Sequence, residues 1–225
     1  MARKFKDFVV RDKPKKRGSR KHKRMSKTIN YEFFHWGPFL YKTKIQDEEL
    51  EKIKLLCKKD KTKDYRKSLA GLIKNEYGIE KKKLFPIIAP YIESYLKAAF
   101  EHYGFTHGKS ISLESSWVNY MTKFESNPIH THSSDLSFVI FTEIPENLKK
   151  EIEQTVTSDG YPGVLNFLHT LPRGDYEISK YKFIPEKNDF FIFPATLHHY
   201  VNHFQSEGER VSVSGNLKLN NGKEV

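Results

Sequence analysis

Beyond about residue 110 the chain breaks into short runs of Val, Ile, Phe, Ser and Thr separated by Gly, Pro and Asn, which limits the fold more than any other feature. The runs fall at residues 112–120, 137–143, 163–168, 181–184, 189–193 and 210–217. Runs this short, with β-branched and aromatic side chains and turn residues between them, are expected to be strands of a sandwich or jelly roll. Residues 146–155 have room for a helical insertion between two of them. Before residue 110 the period is helical. Asp47, Glu48 and Glu49 open a helix carrying Leu50, Ile53, Leu56 and Cys57; residues 65–77 read as a second, shorter helix. A third spans 90–103, with Tyr91, Tyr95, Ala99 and Phe100 on one face and Gly104 as its stop. The fold class is therefore α+β: N-terminal flanking helices, then a jelly roll.

Charge divides the chain differently. Residues 1–28 hold thirteen Lys/Arg and two Asp, which accounts for the whole formal net charge of +11 and leaves the rest formally neutral. KPKKRGSRKHKR has too few apolar groups to offset its ordering entropy, so a disordered tail is expected. It reads equally as a solvated tail or as an arm for nucleic acid or another polyanion, held by phosphate contacts without sequence preference. Three segments follow: the basic tail 1–28, an aromatic strap and helical region 29–108, and a β domain 109–225. No run approaches the roughly 20 apolar residues that cross a bilayer, and the N-terminus has no secretory signal. A cytoplasmic protein without membrane contact is expected. The lone Cys57 excludes a disulfide within the chain.

The chemistry sits in the histidines. His130 and His132 form HTH, and His198, His199 and His203 lie in HHYVNH about 70 residues later. Residues i and i+2 of a strand share a face, so His130 and His132 can aim two imidazoles at one point. A third imidazole completes a metal face and leaves positions for substrate and O2, as in non-haem iron sites. His199 is favoured as that third ligand, with DFFIFP as a strand and the histidines on the turn after it; His198 then faces outward or toward the mouth. No further Cys or Asp suits a closed zinc site.

Arg210 opens RVSVSGN, where alternation puts Arg210, Ser212 and Ser214 on one face and Val211 and Val213 on the other. A guanidinium with a hydroxyl two residues on can grip a carboxylate. The alternative is an ordinary strand-end arginine paired with Glu207 or Glu209. Trp117 and Phe138 read as core aromatics.

Taken in order, ESSWVNYM, NPIHTHSSDLSFVIFTEIP, PGVLNF, NDFFIFPATLHHYVNHF and GERVSVSGN resemble the 2-oxoglutarate/Fe(II)-dependent oxygenases related to prolyl 4-hydroxylases, many of them phage-encoded. The resemblance covers roughly residues 112–218. It implies a double-stranded β-helix (a cupin-like jelly roll), Fe(II) held by His130, His132 and His199, and 2-oxoglutarate as cosubstrate held by Arg210 with Ser212. It further implies Tyr120 on the cosubstrate, with Asn119 as the alternative, and a host-cytoplasm location if the chain is phage-encoded. No catalytic side chain is expected beyond the metal site. The wider superfamily uses His, a carboxylate and His, whereas the second position here is His132; Asp135 reaches the metal only if the chain turns at Ser133-Ser134.

The function expected is a dioxygenase that uses O2 and 2-oxoglutarate to hydroxylate a protein side chain. Three alternatives stand beside it: a 2-oxoglutarate oxygenase of nucleic acid, a three-histidine cupin-type dioxygenase that ignores 2-oxoglutarate, and a non-catalytic nucleic-acid or virion-associated binding protein.

Overall fold

The computed structural model describes residues 37–104, 110–157, 160–169 and 179–220. The basic tail 1–28 and most of the strap lie outside these residues. Pro38–Val225 form one compact unit.

Ten strands and three helices follow in the order β1 (Tyr41–Lys44), α1 (Asp47–Leu56), β2 (Glu76–Gly78), α2 (Lys81–Tyr103), β3 (Ser110–Met121), β4 (Asn127–His130), β5 (Leu136–Glu143), α3 (Glu146–Gln154), β6 (Leu165–Leu168), β7 (Lys180–Phe183), β8 (Asp189–Pro194), β9 (His198–Val201) and β10 (Arg210–Asn220) among the described residues. A major sheet runs β1-β8-β5-β10-β3-β2 and a minor sheet β4-β9-β6-β7, with every pairing antiparallel. The two sheets face each other as the jelly roll of a double-stranded β-helix. Phe167 of the minor sheet packs against Phe193 and Phe191 of the major sheet at ring separations of 4.9 and 6.1 Å. Helices α1 and α2 cover the outer face of the major sheet, where Leu50, Ile53, Leu84, Ile88 and Ile92 join Val118, Ile140, Ile192 and Val213 in one core.

This double covering explains the unbroken apolar run Phe190–Phe193. Strand β8 lies between helices on one side and the minor sheet on the other, so both of its faces are buried and no polar alternation remains. The buried Asp189 that opens it is held by Lys42 at 3.0 Å and Lys44 at 2.9 Å. At Gly215 of β10 a Cβ would stand 2.5 Å from the Ser115 carbonyl and 2.7 Å from the Phe138 ring. Only glycine permits that close approach of β10 to its neighbours.

Three expectations for the helical region need correction. Residues 65–77 are not a helix: a single tight turn at Arg66–Ser68 leads into β2, whose Glu76 pairs with Asn119 on the edge of β3. Pairing with that edge overrides local propensity. Helix α2 begins at Lys81 rather than at residue 90 and keeps Pro86 and Pro90 inside it. Its buried face is Leu84, Ile88, Ile92, Tyr95, Leu96 and Ala99, whereas Phe100 is exposed. Gly104, at φ 68°, caps the end as expected, its N–H donating to Ala99 and Phe100.

Candidate functional site

The three histidines converge between the two sheets. His130 ends β4 and stands opposite His199 of β9 in register. His132 lies two residues beyond β4, where its N–H donates to the Ala195 carbonyl at 2.8 Å. The chain thus passes its pairing from β9 to the β8–β9 turn. The ring centroids are 4.2 Å apart for His130 and His199, 5.0 Å for His130 and His132, and 5.1 Å for His132 and His199. One nitrogen from each ring lies within 4.8 Å of the other two.

Their protonation suits a metal. His130 Nδ1 is 2.7 Å from the Pro128 carbonyl and His199 Nδ1 is 2.9 Å from the Leu197 carbonyl. A carbonyl only accepts, so both Nδ1 atoms carry the proton and both Nε2 lone pairs are free to bind a cation. Burial, reinforced by the neighbouring imidazoles, pulls His199 down to about 3 and His132 to about 4; burial also lowers His130. All three are neutral at pH 7.

The folded state holds fewer protons than the unfolded state between the ordinary histidine value of 6.5 and the lowered ones, so acid favours unfolding there. The metal-free protein is expected to lose stability steadily as pH falls from 6.5 toward 4. Urea midpoints at pH 7.5, 6 and 5 check this, and a midpoint that rises on acidification contradicts it.

Two nearby candidates stay out of the cluster. Asp135 accepts from the Leu219 N–H at 2.7 Å and pairs with Lys218 at 3.3 Å, so its carboxylate is committed to β10. His198 alternates with His199 and is exposed.

At the other end of the same cavity lies Arg210, 3% exposed. Its guanidinium sits 4.7 Å from the Phe141 ring centroid, Nη1 contacts Met121 Sδ at 3.0 Å, and Nε has no hydrogen-bond partner among the described residues. The strand-end pairing considered for it does not form: Glu209 binds Lys59 at 2.6 Å and Glu207 binds Lys123. Burial draws the guanidinium down to about 9, still protonated at neutral pH. A buried cation without an anion costs several kcal/mol, so the fold maintains an unmet demand for negative charge here. Ser212 and Ser214 share its face and also line the cavity, and Asn119 Nδ2 reaches both hydroxyls at 3.5 Å.

Tyr120 does not join them. Alternation along β3 turns Trp117, Asn119 and Met121 into the cavity and sends Tyr120 to the helical side. There it packs against Tyr77 at 6.1 Å, with Lys59 over its ring. The cosubstrate role expected of Tyr120 is therefore withdrawn; Asn119 holds the inward position, its Oδ1 buried and unpartnered.

A second hollow adjoins the histidines, lined by Ser68, Leu69, Glu76, Trp117, Asn127 and His130, with His132 beside them. Glu76 and Asn127 were not singled out from the sequence. Glu76 was hidden in a stretch read as helix, and nothing in the local pattern marks Asn127. Burial and the charge of Glu125 push the Glu76 carboxyl up to about 7.

Residues 115–216 match the sequence profile of the family described as "Putative 2OG-Fe(II) oxygenase". Among solved structures the chain is similar to the viral collagen prolyl hydroxylase vCPH of Paramecium Bursaria Chlorella virus-1, a 2OG complex (12% identity, 79% of this chain and 94% of that one, TM-score 0.49). It is also similar to a Pseudomonas putida prolyl-4-hydroxylase (11% identity, 80% and 92%, TM-score 0.49). A third is a Trichoplax adhaerens prolyl hydroxylase in complex with a peptide fragment of the hypoxia inducible factor oxygen degradation domain (8% identity, 83% and 84%, TM-score 0.49). No curated protein matches the chain. The matched stretch, just under half of the chain, contains all three converging histidines and Arg210.

Proposed function

We propose that this chain is a 2OG-Fe(II) oxygenase that hydroxylates a side chain of a protein substrate, with His130, His132 and His199 holding Fe(II) and Arg210 with Ser212 holding the far carboxylate of 2-oxoglutarate. One observation carries the reading: a buried guanidinium without an anionic partner shares a cavity with three neutral imidazoles. A dicarboxylate that binds a metal at one end and a guanidinium at the other answers both demands.

The residues fit both groups. Three neutral nitrogen donors suit Fe(II) and leave coordination positions open. The Arg210 end offers the unpartnered Nε and the Ser212 hydroxyl as donors, between apolar walls from Met121, Phe141, Leu165 and Val201. When bound, the iron and 2-oxoglutarate supply the activation of O2: overall, 2-oxoglutarate, O2 and R–H become succinate, CO2 and R–OH. The chain supplies position and dryness. The Nδ1 bonds to Pro128 and Leu197 fix the tautomer and tilt of two rings, while the apolar walls exclude water from the reacting end.

A protein substrate is favoured by where the second hollow opens. It lies between β2, whose outer side is already bonded by the Tyr65 N–H to the Glu76 carbonyl at 2.9 Å, and β4, the outermost strand of the minor sheet, with residues of both strands in its lining. Outermost strands leave backbone N–H and C=O groups for an extended peptide. Among the described residues no helix is long and apolar enough to cross a membrane, and a cytoplasmic site of action fits this reading.

Anaerobically purified full-length protein is expected to bind one Fe(II) per chain and to form succinate from 2-oxoglutarate. Addition of a peptide mixture should accelerate succinate formation and add one oxygen to some peptides by mass. Iron binding without 2-oxoglutarate binding points instead to a cupin-type dioxygenase; oxygen appearing on oligonucleotides alone replaces the protein substrate with nucleic acid.

A further inference from the structure

The hollow in front of His130 and His132 contains an unpartnered carboxyl of its own. Glu76 is 1% exposed, and its Oε2 is buried with no hydrogen-bond partner among the described residues. The groups around it are already engaged. Glu125 accepts from the Lys74 N–H at 3.0 Å and the Thr122 N–H at 2.8 Å. Arg66, whose charge reaches Glu76, is clasped by Asp64 at 2.5 Å. Asn127 Oδ1, which borders the same hollow, is likewise buried and unpartnered. Trp117 forms an aromatic wall there, backed by Tyr65 stacked at 5.8 Å.

An acceptor-rich, aromatic-walled hollow calls for a ligand with several N–H donors and a positive charge. We propose that this hollow is the substrate subsite and that Glu76, with Asn127, binds a lysine- or arginine-type cationic group carried by the substrate next to the carbon that is oxidised. The proposal rests on the hydroxylase reading above and deepens it. The site has opposite ends: the Arg210 end takes an anion, the Glu76 end a cation, and the histidines lie where the two hollows meet. Among the described residues no Lys or Arg forms an ion pair with Glu76. Gly71 makes room for the carboxylate, since a Cβ there would stand 2.8 Å from Glu76 Oε1.

The test is peptide capture. Immobilised full-length chain, both as purified and loaded anaerobically with Mn(II) and 2-oxoglutarate, is exposed to a randomised peptide mixture, and the captured peptides are sequenced. Wild type is expected to enrich Lys or Arg over Glu at one position by at least about tenfold, the scale of one charge-assisted hydrogen bond. Glu76→Gln, which keeps the shape and removes the charge, is expected to abolish that enrichment while Mn(II) and 2-oxoglutarate binding stay at wild-type levels. Gly71→Ala, which crowds the carboxylate, should reduce the enrichment in the same direction. Wild type without preference for basic residues, or Glu76→Gln with an undiminished one, overturns the proposal. A chain that binds neither metal nor 2-oxoglutarate overturns the hydroxylase reading, while the capture by unloaded chain still decides the role of Glu76.

Discussion

Arg210→Met is expected to make the metal-free protein more stable and to cripple its use of 2-oxoglutarate. The guanidinium is buried against Met121 and Phe141 with its Nε unpartnered. Replacing an uncompensated buried charge with an apolar side chain of similar length removes a desolvation cost. Apolar replacements of buried ionic groups gain up to about 4 kcal/mol, which at that upper limit raises the unfolding temperature of a chain of this size by roughly 8–16 °C. The same change removes the fork that would hold the carboxylate. Loss of one member of a buried, hydrogen-bonded charge pair costs about 2–5 kcal/mol, a rise in the 2-oxoglutarate dissociation constant of roughly thirtyfold to several thousandfold. Arg210→Lys keeps the charge without the planar fork and should fall between. Thermal unfolding with a 2-oxoglutarate titration checks both halves. A destabilised variant, or one that binds 2-oxoglutarate as wild type does, removes Arg210 from the proposed role.

His199→Ala should abolish both metal retention and succinate formation. His199 is the most buried of the three rings, and its orientation is fixed by the Leu197 carbonyl. Loss of a partner that merely orients a ligand weakens metal affinity by about 10–100-fold; loss of the ligand itself is expected to exceed that. His198→Ala provides the matched comparison, since its side chain points to solvent from the neighbouring position of β9. Asp135→Asn should keep its metal and lose only the tie to Lys218 and Leu219. Metal content by elemental analysis separates these cases. Retention in His199→Ala, or loss in Asp135→Asn, would replace the three-histidine set with one that includes a carboxylate.

Some of this was legible from local pattern because the signal was periodic. Alternation in RVSVSGN assigned Arg210, Ser212 and Ser214 to one face, and they share a cavity lining. The short β runs after residue 110 became strands of two sheets, with ends shifted by a few residues. Residues without a periodic context were misread or missed. The short β1, β4 and β9 owe their existence to partners distant in sequence, and β2 reads locally as helix because its pairing with β3 leaves no local trace. The resemblance puts Tyr120 on the cosubstrate, but strand parity decides which way it faces, and the register against β10 supplies that parity.

The sequence by itself determined the chemistry available: which imidazoles could meet, which arginine stood ready for a carboxylate, and that the excess charge lies in the first 28 residues. The tertiary structure decided which of those groups are satisfied. Whether Arg210 has an anion, whether Asp135 is free and whether Glu76 faces a cation depend on neighbours distant along the chain. Hydrogen bonds and charge pairs act over a few ångströms of space, so an unmet partner is a property of the folded molecule that no stretch of sequence contains.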